Sequence, residues 1–76
     1  MISEHDRVVL EVYLLKEGLE AGDVGTVVHV YRAGRAFEVE FVTLEGDTAL
    51  VATLEAEQVR PVRHHEITHA RQLARA

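Results

Sequence analysis

Ala36-Phe37-Glu38-Val39-Glu40-Phe41-Val42-Thr43 alternates apolar and acidic side chains with a period of two. That spacing places Phe37, Val39 and Phe41 on one face and Glu38 and Glu40 on the other, the pattern of a strand with one face buried. The segment is framed by turn signals: Arg32-Ala33-Gly34-Arg35 precedes it and Leu44-Glu45-Gly46-Asp47 follows. Gly34 and Gly46 supply the positive φ that tight turns require. The reading is a strand between two hairpins.

Val24-Gly-Thr-Val-Val-His-Val-Tyr31 is rich in β-branched residues and reads as the preceding strand. Gly25 near its start suggests a bulge or bend. On strict alternation His29 shares a face with Val27 and Tyr31, as a partly buried, hydrogen-bonded side chain. Thr48-Ala-Leu-Val-Ala-Thr-Leu54 is the returning strand. Upstream, Asp6 to Tyr13 carries Val8, Leu10 and Val12 at period two. Between it and Val24 lies a long connection in which Leu15 and Leu19 are expected to fold back over the core. Downstream, Glu55-Ala-Glu-Gln58 reads as one helical turn before a short strand, Val59-Arg-Pro-Val62. Pro61 cannot donate to a ladder, which puts that strand at an edge.

A long first connection, two tight hairpins and a helical turn before a brief last strand is the order of an SH3-like barrel. Residues 1–62 are therefore expected to form a small, mostly β, five-stranded SH3-like barrel. Residues 63–76 are expected to form a short C-terminal α-helix, with Ile67, Ala70 and Ala74 on one stripe and Leu73 beside it. Arg71 and Arg75 suit a helix C-terminus. A lone helix of this length needs a packing surface, on the barrel or on a partner.

Three stretches together resemble a known family. They are Gly18-Leu-Glu-Ala-Gly-Asp-Val-Gly-Thr-Val-Val-His-Val-Tyr31, Phe37-Glu-Val-Glu-Phe41 and Leu54-Glu-Ala-Glu-Gln-Val-Arg-Pro-Val62. The chain from about Asp6 to Leu73 resembles a bacterial family of small proteins, domain of unknown function 4926. The resemblance implies a barrel fold and brings no activity, cofactor or site. Gly22-Asp-Val-Gly-Thr-Val27 is also similar to a strand opening in other SH3-like barrels, including ribosome-associated ones.

Composition narrows the function classes. Seventy-six residues make one domain, 47% apolar and free of cysteine, so disulfides and thiolate metal sites are excluded. No apolar run reaches the ~18 residues of a membrane span, and Met1 to Asp6 lacks a signal-peptide pattern. The expected location is cytoplasmic. Residues 1–57 hold four basic against twelve acidic residues, whereas residues 58–76 hold four arginines against Glu66 alone. The acidic body repels phosphate, which disfavours RNA or ribosome binding.

His65-Glu66-Ile-Thr-His69 fits the H-E-x-x-H form, in which a helix presents two zinc ligands and a glutamate base. His65 and His69 are the metal candidates of an alternative reading, a metal-binding protein or zinc-dependent hydrolase, but a catalytic zinc needs a third ligand and a cleft. Ser3, the only serine, has no relay partner in view. No catalytic set and no cofactor are expected. The leading expectation is a non-catalytic protein-interaction or accessory module that binds another protein or itself. Tyr31, Arg32 and Arg35 at one hairpin, with Arg71 and Arg75 in the tail, are the expected contacts.

Overall fold

The computed structural model describes residues 1–73. Five strands form one antiparallel sheet: β1 (Arg7–Leu10), β2 (Val24–Tyr31), β3 (Ala36–Val42), β4 (Thr48–Glu55) and β5 (Val59–Pro61). Short 3-10 turns lie at Leu15–Glu17 and Ala56–Gln58. The hydrogen-bonded order is β4-β3-β2-β1-β5, so the expected closed barrel is not formed and β4 and β5 are both edges. Pro61 lies on the β5 edge, where its missing N–H is harmless.

The core comes from the inward faces of these strands. Phe37, Val39 and Phe41 of β3 pack with Val8, Leu10, Val27, Leu54 and Val59, all buried. β1 is shorter than its apolar pattern suggested, stopping at Leu10, and Val12 packs against the core from outside any strand. In the long connection Leu19 is buried and bridges Leu14, while Leu15 is 84% exposed, so Leu14 takes the place expected for Leu15. The 3-10 turn over Leu15–Glu17, closed by Gly18 at φ 73°, swings Leu15 outward.

β2 departs from simple alternation. Its register with β3 shifts between Val27 and His29, so Val28 is an extra residue, and the bulge lies here rather than at Gly25. Val27 is buried and Val30 packs on the core, while His29 is turned outward and exposed. The buried-histidine expectation is corrected by that one inserted residue.

The C-terminal α-helix is not formed: residues 62–73 run as irregular chain. His65 adopts φ 68°, which breaks a helical path at its first turn. Ile67 is 93% exposed and Ala70 is exposed, so neither docks a helix, and Ala74 of the expected stripe lies outside the described residues. Side-chain ion pairs hold the tail instead.

Candidate functional site

Two arginines clasp the tail to the sheet. Arg60, on β5, donates to Glu66 through two nitrogens at 3.0 and 2.6 Å and lies 3.4 Å from Glu11. The Arg63 amide also donates to Glu66. This bidentate contact, with the amide bond, holds the Glu66 carboxyl far below its usual range, at about 2. Farther along, Arg71 reaches the connection before β2. Its Nε and Nη2 donate to the two oxygens of Asp23 at 2.9 and 2.6 Å, and Nη2 also donates to the Gly18 carbonyl at 2.8 Å. Glu20 stands 3.7 Å from the same guanidinium. Partial burial works to raise the Asp23 carboxyl, but the Arg71 and Glu20 hydrogen bonds outweigh it and its pKa is lowered.

Between this strap and the β3–β4 hairpin lies a groove of about 540 Å³. It is lined by Val24 and Val42, by Leu44 of the hairpin, and by Ile67 and Leu73 of the tail. Leu44 is 83% exposed, and Val24 and Val42 are also exposed. The groove therefore combines aliphatic surface with an acidic anchor, Asp23, already holding a guanidinium.

The sequence-expected contacts are not brought together. Arg32 and Arg35 lie exposed in the β2–β3 turn and form no ion pair among the described residues. Arg71 sits beside the start of β2, whose eight residues separate it from that turn by roughly 23 Å. Arg75 lies outside the described residues. Tyr31 donates to Glu38 at 3.1 Å, which raises its phenol pKa, and its ring meets His29 at 4.5 Å. Thr53 donates to the same carboxylate at 2.7 Å, so Glu38 is an organised acceptor on the outer face.

The H-E-x-x-H pattern lacks the helix that would align His65 with His69. Glu66 is taken up by Arg60, and His65 meets His64 edge to face at 4.5 Å. No group of three metal-ligating side chains occurs among the described residues. Nor is any helix there long and apolar enough to cross a membrane. Asp23 and the groove escaped the sequence reading. The one available signal was an aspartate ending an apolar-anchored loop in a chain whose basic residues gather in its tail.

A family model described as Domain of unknown function (DUF4926) matches residues 4–61. It covers the five strands and stops at the end of β5, before the tail. No curated protein and no solved structure matches the chain.

Proposed function

Because this chain belongs to the DUF4926 family, whose description names no activity, we propose its function from its own geometry: it is a non-catalytic module that binds another protein. Its ligand is an extended segment carrying aliphatic residues beside an arginine or lysine. The observation that carries this is the groove beside Asp23, open to solvent, lined by exposed Val24, Val42 and Leu44 and already seating Arg71. The chain's own tail offers the same combination in Ile67, Arg71 and Leu73, so it acts as a cover that a stronger ligand displaces. Exposed aliphatic clusters of this kind mark binding sites more often than bare surface. The strand order and the helical turn between β4 and β5 support an SH3-like arrangement in open form. A bacterial, cytoplasmic setting belongs to the same proposal, consistent with the absence of cysteine.

The test is selection of a random peptide library on the full chain. The expected ligands combine aliphatic residues with a basic one. Their affinity should drop at least about tenfold with Leu44→Asp and rise with Arg71→Gln, which frees Asp23. Enriched peptides that bind wild type and Leu44→Asp equally would overturn the reading, as would a selection with no enrichment.

A further inference from the structure

We propose that β4 pairs edge to edge with β4 of a second copy of this chain, independently of the groove. Edge strands are usually blunted by charge, proline, covering loops or bulges, because their free N–H and C=O groups invite pairing. Thr48 to Leu54 carries no charged residue and no proline, although 28% of the chain is charged. One such device is present: the register with β3 slips between Phe41 and Val42, at the Thr48 end. From Leu50 onward the ladder is regular, and among the described residues no main-chain bond outside the β3 ladder involves any residue from Leu50 to Leu54.

Hydrogen-bond parity identifies the free groups. The Ala56 amide donates to the Arg35 carbonyl, and Glu55, turned away from β3, donates its amide to the Gln58 side chain. Alternation then points the main-chain groups of Thr53 and Val51 outward, and those of Leu54, Ala52 and Leu50 toward β3. Gln58 therefore closes the last position of the edge and leaves Val51 and Thr53 open.

The occupant follows from self-complementarity. An antiparallel pair about a two-fold axis at Ala52 sets Val51 opposite Thr53 and forms about four inter-chain hydrogen bonds. Leu50 then faces Leu54 on the core side, continuing the apolar layer where Leu50 and Ala52 are only half-buried. An axis at Val51 would pair Thr53 with Ala49, where the register slips, and an axis at Thr53 would need the Glu55 amide that Gln58 already holds, so the axis at Ala52 is the one that stays within the regular ladder. Val51 and Thr53, both β-branched, meet on the outer face, where Val51 is 47% exposed. A small domain without disulfides gains from such a staple.

Sedimentation equilibrium and amide exchange on the full chain test this together. A dimer is expected, twice 8.5 kDa, with Val51 and Thr53 amides as protected as those of Leu50 and Ala52. Val51→Lys and Thr53→Pro should each give a monomer of the same far-ultraviolet spectrum, proline removing only an outward amide. A wild-type monomer at NMR concentrations overturns the proposal, as does a dimer whose Val51 and Thr53 amides exchange like a bare edge. Should either variant fail to fold, the wild-type exchange pattern decides alone.

Discussion

Gly25, at the start of β2, sits against Val39, Glu40 and Phe41 of β3, and its requirement is for space rather than for an unusual backbone. A Cβ there would meet Val39 Cγ1 at 2.5 Å and the Glu40 carbonyl at 3.0 Å. Neither neighbour can retreat, since Val39 is fully buried and Glu40 belongs to the ladder. Gly25→Ala should therefore cost about 1–3 kcal/mol, as overpacking does. Urea unfolding checks it, and an unchanged midpoint would mean that the sheet opens there to admit a methyl group. The sequence pointed to a bulge or bend at Gly25, whereas the structure puts the bulge at Val28 and a close approach at Gly25, which leaves no local mark. His29 was hidden for a related reason. Counting in twos places it with Val27, and only the extra residue Val28 turns it outward. By contrast Phe37, Val39 and Phe41 were legible because nothing interrupts their alternation.

Among the elements, the tail departs furthest from its sequence. Its residues favour helix, but intrinsic propensity is weak beside contacts made across the chain. Arg71 and Asp23 lie 48 positions apart, and no window of local sequence reveals that they meet. The Arg60–Glu66 clasp has a measurable pH signature. Glu66 titrates at about 2 in the folded chain against an ordinary 4.5. A depressed carboxyl stabilises fully above its unfolded pKa, and the contribution is lost as pH falls through the folded value. The clasp should hold at neutral pH, weaken between about pH 4.5 and 2, and open below that. Carboxyl ¹³C titration of Glu66 checks this, and a midpoint near 4.5 would show that Arg60 does not hold it.

The whole molecule is an open five-stranded sheet with a strap across one end. The adjacency of β2, β3 and β4 was legible from turn spacing, since two tight hairpins force them to be neighbours, while the pairing of β1 with β2 and β5 was not. Closure was not legible, because it depends on how two edges approach each other and not on any strand's own pattern. Nor was the separation of the expected contacts legible: Arg32 and Arg35 lie at one end of β2 and Arg71 beside the other. Whether a ligand displaces the strap from the groove is decided by amide chemical-shift mapping. A peptide enriched by the library would be titrated into the labelled full chain. Perturbations are expected at Val24, Val42 and Leu44, with Arg71 Nε–H losing its bond to Asp23. Perturbations confined to the Tyr31–Arg35 turn, with Arg71 undisturbed, would contradict it.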